Sequence, residues 1–399
     1  MKRKILLPIV IFILALTLPS CMPGGTQQAQ GWSGVVYSDG LLYVGSMDGQ
    51  VIAVNPSTRN LEWSYTISTP STSGGIMSCG QRAAPTAIYS TPVVDKDLVY
   101  IGVYNGKVIA LNTLDRSQGL PFPQTRSEEW SFPNSDETIG EMVGNTVINK
   151  DDVYVATTGL DGKKRVCVMY SLDRTFGDLN CPPKPLGEKC EKLWTTPSVE
   201  GDIIYVTTYN GYIYSLSTED LALLPWTFKA DAGFVSSPIV YQDTIFVGAF
   251  DNNLYAINIG DSEPIWKFPG GKWFWSTPVV KDGIVYAGCL DGKIYAVNAE
   301  TGYLEWEFDT GSPIVSSPIW DDDLLVVASQ SGSIHVFDIN SKHADKTIMP
   351  MRTMSISAVI RGSICVWEGI IYIRAQDNCL YALNIDKGLI SWKLPLSIK

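Results

Sequence analysis

Positive charge is scarce in this chain. Its 399 residues hold 30 Lys and Arg against 41 Asp and Glu, a formal net charge of −11. Removing Lys2, Arg3 and Lys4, the basic cluster at the start, takes that to −14. Phosphate binding is driven by Lys and Arg, so nucleic acid is excluded as a natural partner. The same deficit argues against lying flat on an anionic membrane. Histidine is nearly missing: His335 and His343 are the only two, too few for most metal or Ser-His-Asp schemes. No Cys-x-x-Cys spacing suggests zinc, and no two cysteines are adjacent. No glycine-rich phosphate loop appears, because the glycines occupy turns. With 45% hydrophobic and 18% charged residues, the composition is that of a globular protein and not of a disordered one.

What is present is repetition. The stretch Ser276 to Phe308 reads as four short strands separated by Asp282-Gly283, Asp291-Gly292 and Thr301-Gly302. Asp-Gly between apolar runs is a strong hairpin signal, since a type I′ turn needs positive φ at both central residues. The middle runs are apolar at nearly every position, so both faces of this small sheet must be covered. One meander cannot cover itself; it needs copies on either side. The copies align on the turn between second and third strands, at Asp48-Gly49, Asn105-Gly106, Asp161-Gly162, Asn210-Gly211, Asp251-Asn252, Asp291-Gly292, Ser331-Gly332 and Asp377-Asn378. A Trp follows in all units but the seventh: Trp63, Trp130, Trp194, Trp226, Trp266, Trp306 and Trp392. The seventh degenerates after Asp338. Several units open with Ser/Thr-Pro, as at Thr277-Pro278. The expected fold is an all-β, eight-bladed β-propeller of four-stranded antiparallel blades over residues 32–394.

Residues 1–20 read as a targeting segment: a basic start, then the apolar run Ile5 to Leu18, too short for a membrane span. Leu18-Pro19-Ser20-Cys21 resembles the bacterial lipobox, which implies lipid on Cys21. The expected location is therefore an exported lipoprotein, on the outer membrane of a two-membrane cell or the outer leaflet of a one-membrane cell. Residues 21–31 are polar and glycine-rich, and form a tether. Three insertions break the repeat: Thr66 to Ile88, Thr113 to Glu128 and Asp173 to Lys192. Cys181 and Cys190 flank a loop in the third and are the expected disulfide of an exported chain. Cys365 and Cys379 form a second candidate pair. Cys289 reads as a small buried thiol.

Leu290 to Gly302, followed by Trp306, resembles the pyrroloquinoline-quinone (PQQ) type propeller repeat. Val51 to Asn55, Leu254 to Asn258 and Leu380 to Asn384 resemble it more loosely. The resemblance implies that Trp63, Trp266, Trp306 and Trp392 dock between blades. It spans two branches: quinone- and calcium-dependent dehydrogenases, and non-catalytic scaffolds of the BamB type. The scaffold branch is closer in character. It implies a monomeric propeller, an envelope protein as partner, no catalytic residues, no metal and no cofactor; PQQ and calcium belong only to the dehydrogenase alternative. Large aromatics near the channel mouth, Trp273 and Trp275 with Tyr89 and Phe234 in other units, are the candidates for a stacking platform or a small-ligand or glycan receptor. The acid groups Asp95/Asp97, Asp151-Asp152, Glu200/Asp202 and Asp321-Asp322-Asp323 all fall in first-to-second-strand turns, where turn chemistry explains them.

Overall fold

The structure, a computed structural model, describes residues 31–67, 86–113, 124–125, 128–135, 137–161, 164–187, 190, 192–261, 263–341 and 348–397. Cys21, Cys79, His343 and most of the first two insertions lie outside them. The described residues form eight sheets, each containing a four-stranded antiparallel meander. Blade 6 is the regular case: Val279–Lys281, Ile284–Gly288, Lys293–Asn298 and Leu304–Asp309. Val, Ile and Tyr fill its two middle strands, and four of the five residues of Ile284–Gly288 are buried. This matches the expectation that the sheet is covered on both faces. The type I′ reading holds at Asp282 and Gly283, both with positive φ, but at Asp291-Gly292 only the glycine has it. There the Asp291 side chain shapes the turn instead, accepting from the Lys293 backbone N–H at 2.9 Å and from the Tyr295 hydroxyl at 2.7 Å.

The core is distributed over the seams. Each hydrophobic cluster joins two successive blades, as Trp306 and Ile294 of blade 6 join Leu325 and Phe337 of blade 7. One cluster joins Tyr372 and Leu380 of blade 8 to Val35, Leu42 and Ile52 of blade 1, so the ring is closed. Burying such a side chain stabilises by about 1.5–3 kcal/mol, and a seam contains many. The docking role of Trp63, Trp266, Trp306 and Trp392 is seen in these clusters. Trp266 also donates its indole N–H to Ala299 O of blade 6 at 2.9 Å.

Closure trades no strand between the two ends of the chain, since blades 1 and 8 are each complete. It uses one substitution in an otherwise constant pattern. In blades 1 to 7 the residue meeting the next blade at the inner end of the second strand is small: Gly45, Gly102, Ala156, Thr207, Gly248, Gly288 and Ala328. Each lies against a buried residue of the next blade. A Cβ on Gly288 would come within 2.4 Å of Ile314 Cγ2, and one on Gly248 within 2.1 Å of Phe274 O. At the closing seam the sizes are reversed. Blade 8 carries Arg374 and blade 1 carries Gly31, whose carbonyl accepts from Arg374 Nη1 at 2.8 Å.

Blade 3 departs from expectation. Its second and third strands run ten residues each, and its fourth is only Lys184–Pro185. The third insertion therefore supplies the fourth strand, and Trp194 lies beyond it, in no strand. The disulfide joins Cys167 to Cys190, Cα atoms 5.6 Å apart, leaving Cys181 a free thiol. The register explains the correction. Leu186 N–H bonds to Cys167 O, so the chain leaving the fourth strand runs beside Cys167, while Cys181 enters at the opposite end, next to Asn180 and Ser171. Cys365 and Cys379 are also free. They sit in the first and third strands, with Ile370–Arg374 between them, and cannot bond. The second insertion sends Gln124–Thr125 back as a parallel fifth strand on Asn60–Thr66 of blade 1. Blade 7 recovers its fourth strand at Arg352–Ser355 without a Trp.

Candidate functional site

The Ser/Thr-Pro motif builds the channel wall. Its first hydroxyl holds its own blade: Ser276 Oγ donates to Gly288 O at 3.0 Å, and Thr195 Oγ1 to Thr207 O at 3.0 Å. Its second hydroxyl holds the preceding blade by accepting a backbone N–H. Gly34 donates to Thr91 (3.2 Å), Thr91 to Asn145 (2.7 Å), Asn145 to Thr196 (2.9 Å), Thr196 to Ser237 (2.8 Å) and Thr277 to Ser317 (3.0 Å). Val35 N–H to Ser363 O at 3.2 Å adds a link between blades 1 and 8. The result is a polar belt around the axis. Proline then starts the strand, where it has no ladder bond to donate.

One residue before the motif, every blade sends a side chain toward the axis: Trp32, Tyr89, Val143, Trp194, Val235, Trp275, Val315 and Arg361, in blade order. All eight line a cavity of about 310 Å³ whose wall also includes the belt. Large and small alternate along one arc, so Trp194 and Trp275 meet across Val235 with ring centroids 6.4 Å apart. Trp32 and Tyr89 meet edge to face at 4.4 Å. In an eight-membered ring these two aromatic pairs lie on opposite sides of the axis, leaving a slot between them. Arg361 stands at one end of the slot.

Of the four aromatic candidates, the structure brings Tyr89 and Trp275 to the mouth. Trp273 lies outside the cavity, 39% exposed, edge-on to Phe250 at 4.8 Å. Phe234 is buried one position earlier, in the ring of residues that plugs the seams with Ile88, Phe274 and Ile314. The mouth residues Trp32, Trp194 and Arg361 were not read from the sequence. Counting three back from the motif proline yields Tyr89, Trp194, Val235, Trp275 and Val315 at once. Units 1 and 8 lack that proline, which hides Trp32 and Arg361.

The titratable groups elsewhere have structural work. Arg174 spans Asp95 of blade 2 and Asp151 of its own blade, at 2.7 and 2.9 Å. Lys150 pairs with Asp202, and Lys281 with Asp323. The acid turns thus tie blades together, and among the described residues no three His, Cys, Asp or Glu converge to hold a metal. His335 is buried beside Phe308, and burial lowers its pKa. Cys289 is buried too, its thiol pushed up to about 12 by burial.

The profile of the family described as "Outer membrane protein assembly factor BamB" matches residues 23–178 and 184–393. The chain belongs to the BamB family. BamB of Bordetella pertussis is 22% identical over 235 residues, 59% of this chain and 53% of that protein. The chain thus spans about half the length of that curated relative. The crystal structure of BamB from Moraxella catarrhalis superposes with a TM-score of 0.60 at 16% identity, covering 90% of this chain and 92% of that one. The same fold recurs in a europium-containing methanol dehydrogenase, with a TM-score of 0.63, 13% identity and coverage of 90% and 83%. At such identities these two likenesses show the propeller alone. In this chain the inter-blade tryptophans and the polar belt described above hold neighbouring blades together.

Proposed function

We propose that this chain is a non-catalytic envelope scaffold, anchored by lipid on Cys21 and binding a protein of the outer-membrane assembly apparatus. The family carries the reading in general terms. One observation on this chain supports it against the dehydrogenase alternative: among the described residues, none that lines the channel is a carboxylate. Calcium needs six or more oxygens, normally with carboxylates among them, and quinone-dependent alcohol oxidation needs a base. Asn145 is the one amide on the wall, without an acid beside it. The cavity therefore does not fit calcium and PQQ, and no step is assigned through them.

Crosslinking in intact cells followed by purification from membranes tests the reading. One dominant envelope partner is expected, with capture lost when Cys21 is replaced by Ala. Recovery of nonspecific neighbours alone rejects the scaffold. A quinone absorption band appearing when PQQ and Ca²⁺ are added to the pure protein, with dye-linked oxidation, would establish the enzyme instead.

A further inference from the structure

We propose that the channel mouth is a saccharide site, taking the end of a glycan whose ring carries a carboxylate. This goes beyond the scaffold function and does not depend on it. Three features of the cavity restrict its ligand. The first is the pair of facing aromatic walls, Trp32 with Tyr89 and Trp194 with Trp275. They accept a flat or ring-shaped body with apolar faces. Trp194 is 36% exposed, so its surface is available.

The second is the belt beneath. Thr91, Thr196, Ser237 and Ser317 each accept a backbone N–H. Among the described residues none donates its own proton, and neither do Thr277, Ser363 or the Asn145 amide. Each hydroxyl thus keeps a donor and a lone pair facing the same cavity. A purely apolar ligand would cover these groups without pairing them, at a cost. A polyol has alternating donors and acceptors at the spacing of its ring hydroxyls, and can pair with them. A pyranose also has C–H faces that lie against indole.

The third is charge. Among the described residues, Arg361 is the only charged one on the wall and has no carboxylate partner. The Gln330 amide oxygen accepts from its Nε at 3.2 Å and Nη2 at 3.3 Å, in the orientation that pairs both groups. Lys192 lies 5.0 Å from the Trp194 ring at the rim. The mouth is thus locally cationic on a protein of net charge −11. A cation is repelled there, and a polyanion finds too few partners. One carboxylate, held by Arg361 at the end of the slot, is satisfied.

Isothermal titration and saturation-transfer NMR on the intact protein test this with oligosaccharides of galacturonate, alginate and hyaluronan, their methyl esters, and 2-naphthoate. At least one acidic oligosaccharide should bind, and its ester about tenfold or more weakly. Trp194→Ala or Trp275→Ala should weaken it by about tenfold each. Trp273→Ala, outside the cavity, should leave it unchanged. Arg361→Gln should erase the preference for acid over ester while keeping the neutral affinity. Val315→Trp narrows the slot without removing a wall and should abolish binding, which keeps the test valid if an aromatic deletion unfolds. Failure of every saccharide, or binding of 2-naphthoate without any saccharide, overturns the proposal. So does saccharide binding that survives Val315→Trp.

Discussion

Arg374 offers the sharpest test of how the ring closes. It is 2% exposed, with Nη1 on Gly31 O and no protein partner for Nε or Nη2 among the described residues. Burial lowers its pKa to about 10, against the opposing pull of Asp377 and Asp48. A shift of that size disfavours the charge by roughly 3 kcal/mol. The side chain nevertheless fills the space that Ile88, Phe274 or Ile314 fills at other seams. Its bulk should therefore matter more than its charge. Arg374→Met keeps the bulk, removes the buried charge and leaves one carbonyl unpaired, at about 1–3 kcal/mol. The gain and the loss nearly cancel, so the Met variant is expected within about 1 kcal/mol of wild type. Arg374→Ala adds a cavity and should lose about 2–4 kcal/mol more. Urea unfolding followed by tryptophan fluorescence measures both. The penalty on the charge is present at every pH below the folded pKa and fades only as pH rises through it. The difference between wild type and the Met variant should thus stay flat from about pH 6 to about pH 9. A Met variant as damaged as the Ala variant would refute the reasoning and make the guanidinium itself the closing element.

Four further outcomes follow from the geometry. Gly248→Ala places a methyl against Phe274 O and should destabilise by about 1–3 kcal/mol in the same assay, whereas Gly40→Ala, with nothing nearby but φ of 80°, should cost about 1 kcal/mol. Trp306→Ala should cost about 3–5 kcal/mol, and surface Trp273→Ala less than about 1. Peptide mapping should find Cys167 joined to Cys190 with Cys181 alkylated, and Cys167→Ser should lower stability by about 3 kcal/mol through loss of loop closure. Burial alone would raise the pKa of Asp291, but hydrogen bonds from Tyr295, Lys293 N–H and Gly271 N–H outweigh it and leave it lowered. Its contribution is complete above the ordinary carboxylate range and lost as pH falls through the lower folded value. Asp291→Asn should therefore lower stability at neutral pH and flatten the acid limb of the unfolding curve below about pH 4.

The eight-fold repeat was legible because each blade solves the same burial problem with the same residues, and the turns at Asp282-Gly283 and its counterparts punctuate them. Inter-blade docking of Trp63, Trp266, Trp306 and Trp392 was legible through the resemblance to the PQQ-type repeat. Blade 3 was not. A strand of two residues, Lys184–Pro185, leaves no periodic trace, so Trp194 stood in for a docking Trp it does not replace. The disulfide was missed because proximity in sequence favoured Cys181, while strand register decided for Cys167. At the mouth, Trp275 and Tyr89 were visible as aromatics near a strand start. Phe234 resembles them in sequence, but a one-residue offset separates a plug from a wall, and that offset is set by the motif hydroxyls, not by hydrophobicity. The reversal of sizes at Gly31 and Arg374 has no local signal at all, since its two halves stand 343 positions apart.

Each four-stranded antiparallel meander comes from its own stretch of chain, and this has a topological consequence. Nothing in the architecture requires the polypeptide to start where it does. A gene rearranged to begin in the link between blades 4 and 5, near Asp231, with the old termini joined by a short linker between blades 8 and 1, would encode the same eight sheets. The position of the two termini is then a free choice, and moving them would place them at a different sector of the wheel.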